Sequence, residues 1–275
     1  MGGTPALGAA RLTVHDLAFR RAPEHFTPRG VRFFERALEI TRREADIVIV
    51  PSMTTRADCV DAGLDESRLR VVPHGVRTSS VDPAAAEEFR RRHRLDRPYV
   101  MWCGAVEPRK NLGTLLQAFA SLVDSTDLDL VLVGPGGWGS AAEDLERRRA
   151  PLPRERVHVL GAVSSSDLAL AYAGAHVFCF PSFWEGFGMP VLEAQAHGVP
   201  VVTSRGTSMA EIGGDGVVLA DAEDAEELAA GIVAAAGPRH DEIAASARVN
   251  AATYTWEASA ALHVDAYRAA VEAAR

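Results

Sequence analysis

Lysine is nearly missing from this chain: of 29 basic side chains all but Lys110 are arginine, so the exception asks for a reason. Cysteine is scarce as well. Cys59, Cys103 and Cys179 are odd in number and widely separated. They sit in apolar or helical contexts, which argues against a disulfide framework or a zinc site and fits buried free thiols in a reducing cytoplasm. Positive charge is in deficit, the net charge being −8. No basic stripe is on hand to neutralise a nucleic-acid backbone, so nucleic acid is not an expected partner; local binding of one small anion stays open. No apolar run approaches a membrane span, and the first residues, MGGTPALGAARL, lack the basic start and apolar stretch of a signal peptide. What is present, 47% hydrophobic and 24% charged residues in a chain of 275, is an ordinary soluble globular composition with room for two domains.

Short β-branched runs alternate with longer helical patterns, the mark of parallel α/β architecture. Strands are expected in RLTVHDL, ADIVIVPS, LRVVPHGV, YVMWCGAV, LDLVLVGP, RVHVLGAV, HVFCFPS, VPVVTS and GVVLAD. Helices are expected near 28–44, 54–63, 84–93, 111–123, 140–149, 166–173, 190–197, 223–236, 239–252 and 256–273. A polar, proline-flanked break, RTSSVDPAAAEEFRRRHRLDRP, spans 77–98. Before it lie three strands, too few for a doubly wound domain; after it lie about six, enough for one full Rossmann-like domain.

Ligands of open α/β sheets gather where strands hand over to helices at their carboxyl ends. In WCGAVEPRKNLGTLLQAF, Gly104 removes a side chain at the strand end, and Arg109 and Lys110 precede a helix starting near Asn111. Two cations beside free helix amides suit a diphosphate. Without an anion they would oppose the helix dipole. VGPGGWGS (133–140) offers glycines for close backbone approach, and LGAVSSSDL offers Leu160 and Gly161 where a base could meet backbone groups.

The most pointed stretch is PSFWEGFGMPVLEAQAHGVPVV. It runs from a strand through Gly186, Phe187, Gly188 and Met189 into a helix that starts at Pro190 and continues with Val191. Pro190 suits a first helical turn, and both glycines can adopt positive φ, so that the backbone turns tightly and aims its amides outward at an anion. Glu185 precedes the turn and Glu193 lies one helical turn inside it, so the pair can flank a ligand whose phosphates rest on the amides between them. One carboxylate would accept from sugar hydroxyls, the other from ribose. Gly198 and Pro200 then end the helix.

These residues resemble the retaining glycosyltransferases of family 4, which have the GT-B fold. The resemblance covers nearly the whole chain through VHDLAF, ADIVIVPS, VVPHGV, GAVEPRKNLGTLLQAF, the FPSFWEGFGMPVLEAQAHGVPVVTS block and TYTWEASA. It implies an α/β fold of two Rossmann-like domains, the N-terminal one (1–80) incomplete and acceptor-side, the C-terminal one (81–252) full and binding the nucleotide-sugar, with 253–275 a helix crossing back. It further implies that Lys110 contacts the diphosphate, Glu185 holds donor-sugar hydroxyls, Glu193 holds the ribose, and His15 of the HD motif faces the donor sugar across the cleft. Two departures stand out. Ala105 follows the loop glycine where many members have arginine, which Arg109 would replace. About three N-terminal βα units of roughly thirty residues each have no counterpart.

The implied reaction needs donors and cations for the departing diphosphate and no metal or other cofactor. A front-face path returns the acceptor's proton to the leaving phosphate, so no dedicated base is required. Asp127 and Asp129 in DLD precede their strand and so lie away from the site. Nothing near Lys110 supplies a pyridoxal partner. His74 reads as a turn and interdomain residue, and His93, His240 and His263 as exposed helix positions. Trp256 and Tyr267 read as core packing, while Asp16 either orients His15 or begins a loop.

Three functions compete. The first is an active hexosyltransferase using GDP-mannose, as EPRKN and EGFGMPVLEA resemble mannosyl-type relatives. The second is a non-catalytic or split-enzyme nucleotide-sugar binder that needs a partner chain. The third, a non-hydrolysing epimerase, calls for other carboxylates. Expected partners are the nucleotide-sugar donor and a glycan, lipid or small-molecule acceptor. Peripheral membrane contact, self-association through the incomplete domain, and a cytoplasmic location at the inner membrane face complete the expectations.

Overall fold

The computed structural model describes residues 10–77, 80–136 and 140–273, the side chains of 140–142 excepted. The chain divides into two compact units. One holds the residues up to Gly75, the tripeptide Glu185–Phe187 and the chain from Tyr254 onward; the other holds Val76–Trp184 and Gly188–Thr253.

The first unit is built on three parallel strands in the order β1-β2-β3: β1 (Arg11–Thr13), β2 (Ile47–Val50) and β3 (Leu69–Val71). Between β1 and β2 run α1 (Ala18–Arg21) and α2 (Pro28–Glu44), and α3 (Met53–Asp61) links β2 to β3. Helix α2 starts where Thr27 accepts from Gly30 N ahead of Pro28, and α3 starts where Ser52 accepts from Thr55 N. Alternation along β2 sends Val48 and Val50 into a cluster with Val14, Phe19, Leu38 and Cys59, and Ile47 and Ile49 to the opposite face.

The second unit carries six parallel strands in the order β6-β5-β4-β7-β8-β9. It opens with α4 (Pro83–His93), β4 (Tyr99–Cys103), α5 (Leu112–Leu122), β5 (Asp129–Val133), α6 (Ser140–Arg149) and β6 (Val157–Gly161). It continues with α7 (Ser165–Gly174), β7 (Val177–Phe180), α8 (Met189–Ala196), β8 (Val201–Ser204), α9 (Ser208–Gly213) and β9 (Val217–Ala220), closing with α10 (Ala225–Ala236) and α11 (His240–Ala251). β5, β7 and β8 are buried along their whole length, as strands covered on both faces must be, which is why they read as unbroken apolar runs. The last helix, α12 (Trp256–Ala273), returns to the first unit, where Ala266 and Ala270 pack on Ile47, Ile49 and Val72.

All nine expected strands form, and the two α/β units, the first smaller, bear out the fold class. Two short helices, α1 and α9, were not expected; four and six residues are too few to display a 3.6-residue period. Asp129 is buried at the start of β5, accepting from Arg156 Nε at 2.9 Å and paired with His158 Nε2 at 2.9 Å, while Asp127 pairs with Arg97. DLD is therefore tied up in ion pairs at the amino end of the sheet. His93, His240 and His263 are half-buried rather than exposed: His93 lies on Phe89, His240 stacks on His176 at 4.2 Å, and His263 bonds Ser259 O. Trp256 and Tyr267 are 46% and 42% exposed, so neither is a core residue.

Candidate active site

In the second unit the strand order reverses between β4 and β7, so the loops leaving their carboxyl ends diverge to opposite faces and open a crevice. After β4 the chain passes Gly104 and makes a single 3-10 turn, Pro108–Lys110, before α5. Asn111 holds this turn. It takes a left-handed conformation (φ 53°), donates through Nδ2 to Pro181 O at 3.0 Å and Ala222 O at 2.6 Å, and accepts from Thr114 Oγ1. The loop after β4 is thereby tied to the ends of β7 and β9. Lys110 is buried, its Nζ 4.7 Å from the Phe180 ring centroid, a cation held over an aromatic face at the end of β7. Arg109 is paired with Glu107 at 2.9 Å and lies over Trp184.

Close backbone approach runs along the strand ends. Gly104 N donates to Val133 O and Gly134 N to Gly161 O, both at 2.9 Å, and a Cβ on Gly134 would fall 2.0 Å from Gly104 O. Gly161 (φ 69°) has open space around its missing side chain, beside half-buried Leu160. Of VGPGGWGS, residues 137–139 lie outside the described residues.

At the start of α8, Gly188 is left-handed (φ 106°), and a Cβ there would lie 2.7 Å from Met209 Cγ. The helix start is poorer in donors than expected. Pro190 has no N–H, and Val191 N donates to Gly188 O at 2.9 Å, leaving the amides of Gly188 and Met189 as candidates for an anion. Val191 is instead fully buried. Glu193, one turn in, accepts from Tyr172 Oη at 3.0 Å. Burial lifts the Glu193 carboxyl above its usual range and that hydrogen bond pulls it back. The Cys103 thiol at the end of β4 is pushed up to about 11, first by burial; Tyr172 opposes this, Glu193 adds to it and Lys110 opposes it. Cys103 is half-buried, unlike Cys59 and Cys179.

The tripeptide Glu185–Phe187 belongs to the first unit. Gly186 O accepts from Ser52 Oγ at 2.6 Å and Thr55 Oγ1 at 2.9 Å. A Cβ on Gly186 would fall 1.9 Å from His15 O, so this position needs glycine for space; of the two glycines able to take a left-handed φ, only Gly188 does. Phe187 meets His74 edge-on at 5.0 Å, and His74 in turn lies 5.7 Å from the exposed His15 ring. Burial, with His15 and His263 nearby, lowers the His74 pKa and favours its neutral form. The Asp16 carboxylate accepts from Ala18 N, so it begins a turn. Glu185 is half-buried.

Sequence reasoning missed Tyr172, Asn111, Ser52 and Thr55. Only Asn111 had a local signal, the residue after RK at a helix start; the others act on partners far along the chain. Among the described residues no cluster of three metal-ligating side chains forms, and no helix is long and apolar enough to cross a membrane.

Residues 97–237 match the family model for glycosyl transferases of group 1, and residues 6–80 match that for glycosyltransferase family 4. An O-antigen chain mannosyltransferase B of Escherichia coli is 32% identical over 95% of this chain and 71% of its own length. An MMP alpha-(1->4)-mannosyltransferase of Mycolicibacterium hassiacum is 32% identical over 72% of this chain, which spans only 47% of that protein. The Anabaena HepE protein, crystallised with UDP and glucose, superposes with a TM-score of 0.82 at 22% identity, covering 93% of this chain and 70% of that one, a likeness of fold. With two parallel α/β units, the larger one full and the smaller one short, the chain belongs to glycosyltransferase family 4 and has the GT-B fold.

Proposed function

We propose that this protein is a retaining glycosyltransferase that moves a hexose, mannose from GDP-mannose, to a hydroxyl of a glycan, lipid or small-molecule acceptor. The observation that carries the reading is the placement of the single lysine over Phe180 at the end of β7, with Glu193 on the helix that follows that strand, at the strand-order reversal. In this reading Lys110, with the amides of Gly188 and Met189, takes the diphosphate, and Arg109 adds charge when it leaves Glu107. Gly104 keeps the strand end open. Glu193 accepts from the ribose, backbone at Leu160 meets the base, and Val191 packs the helix start. Glu185, on the tripeptide with Gly186 and Phe187, accepts from donor-sugar hydroxyls, and His15 contributes beside it. The first unit takes the acceptor.

The bond from the anomeric carbon to the diphosphate oxygen breaks while the acceptor oxygen bonds to that carbon on the same face. The acceptor's proton passes to the departing phosphate. Lys110 and the two amides are set in advance for the charge that grows there, the largest single contribution expected in such a step. Mannose is favoured because both named relatives are mannosyltransferases. Peripheral membrane contact, a cytoplasmic location and self-association belong to the same proposal, to be tested by cell fractionation and sizing chromatography.

Purified protein should release GDP or transfer mannose with GDP-mannose; silence across a panel of GDP- and UDP-sugars overturns the catalytic reading. Lys110→Ala should weaken GDP binding at least about tenfold by calorimetry, since hydrogen bonds to charged groups are the stronger ones; full affinity removes the diphosphate assignment. The second reading is a nucleotide-sugar binder completed by a partner chain. It is favoured by the three-stranded sheet of the first unit. Tight nucleotide binding without turnover selects it.

A further inference from the structure

Tyr172 has no place in the roles above, yet it is among the largest fully enclosed side chains of the molecule. It lies near the end of α7, 2% exposed, edge-on to Phe178 at 5.3 Å and stacked on His197 at 6.0 Å. Rings on both sides leave it one orientation. A buried phenol must find partners for its hydroxyl. Here it donates to Glu193 Oε2 at 3.0 Å and has the Cys103 thiol as its other hydrogen-bond neighbour. Burial drives the Tyr172 hydroxyl well above its usual range and raises the thiol, so both groups stay protonated at neutral pH. The phenol hydrogen goes to the carboxylate, and the Cys103 thiol lies beside the hydroxyl. Tyr172 is the one hydrogen-bond partner of Glu193 among the described residues, none of which engages Oε1.

We infer that Tyr172 is the positioning residue of the nucleotide site. It pins Glu193 through Oε2, with Cys103 behind it, so that Oε1 is presented to the vicinal hydroxyls of a ribose. This rests on the reading of Glu193 as the ribose ligand. Without the phenol the carboxylate is free to turn, and the site pays for ordering it on each binding event. A structural tyrosine would weaken every nucleotide alike; a positioning tyrosine weakens only those that carry the diol.

The test compares GDP with 2′,3′-dideoxy-GDP by calorimetry, in wild-type protein and in Tyr172→Phe, which keeps the ring. Wild type should prefer GDP. Tyr172→Phe should lose about five- to tenfold for GDP, from one hydrogen bond to a charged group, and less than about twofold for the dideoxy form. In a Glu193→Gln background Tyr172→Phe should add nothing further, since the two act as one unit. Cys103→Ala, which leaves the ring untouched, should shift the preference the same way by about twofold, and it serves if the phenylalanine variant does not fold. Equal losses for both nucleotides, or an unchanged preference, overturn the inference while leaving Glu193 as the ribose ligand. No preference in wild type removes that ligand assignment, and the inference with it.

Discussion

The two units hold neighbouring pieces of one glycine-rich loop by different means. In the larger unit, β5, β7 and β8 are buried throughout, and Phe119, Leu115 and Phe178 are fully enclosed. In the smaller, β2 alone is buried throughout, while β1 is exposed along its length and β3 only partly covered. The larger unit supports the start of α8 with bulk packing: Val191 and Leu192 are fully buried, and Glu193 stays half-open at their flank. The smaller unit supports Glu185–Phe187 with specific contacts instead, two hydroxyls on one carbonyl and a glycine that fits against His15 O. A thick core can tolerate a half-buried carboxylate; a thin sheet has to secure a loop by fit and hydrogen bonds.

Hollowing the thick core is the most severe way to break that contrast. Phe119→Ala should cost about 3–5 kcal/mol in equilibrium urea unfolding, because the enclosed ring leaves a cavity that six strands cannot collapse around. Spoiling the fit of the thin unit comes next. Gly186→Ala places a methyl group on the His15 carbonyl, which must drive the tripeptide off Ser52 and Thr55. It should cost about 1–3 kcal/mol of stability and lower sugar transfer roughly a hundredfold, through misplacement of Glu185. Activity near wild type would show that the tripeptide needs no such fit.

The smallest effect sharpens the contrast. Glu193 has a carboxyl raised by burial, so the folded state holds its proton more tightly than the unfolded chain. Its relative stabilisation is present below the ordinary glutamate range and is lost as pH rises through the raised value. Glu193→Gln should therefore stabilise the protein at pH 7 by up to about 1 kcal/mol, with the gain vanishing at acid pH. A gain that is flat with pH, read from thermal melts, would mean the carboxylate bears no burial cost.

Much of this architecture was legible beforehand. Nine strands and ten of the helices could be read from apolar runs and helical patterns, with Pro190 in the first turn of α8 and Gly198 beyond it. Lys110, Glu185 and Glu193 stood out through rarity and spacing. Gly186 shows the limit: a glycine was foreseen, but for left-handed backbone rather than for the approach of His15 O, because that carbonyl arrives from 171 positions away. Arg109 shows another, since its pairing with Glu107 is a choice of rotamer that residue order leaves open.

By itself, then, the order of residues determined the parallel α/β class, the position of the reversal loops and the chemistry available at them. Those follow from local periods, turn residues and charges that act within a few residues of one another. Tertiary structure decided which atoms those residues meet. Tyr172 found Glu193, Asn111 found Pro181 and Ala222, and Ser52 and Thr55 found Gly186 because packed layers bring distant segments within hydrogen-bond range. A bond of about 3 Å depends on coordinates of both partners, and no stretch of sequence holds the two together.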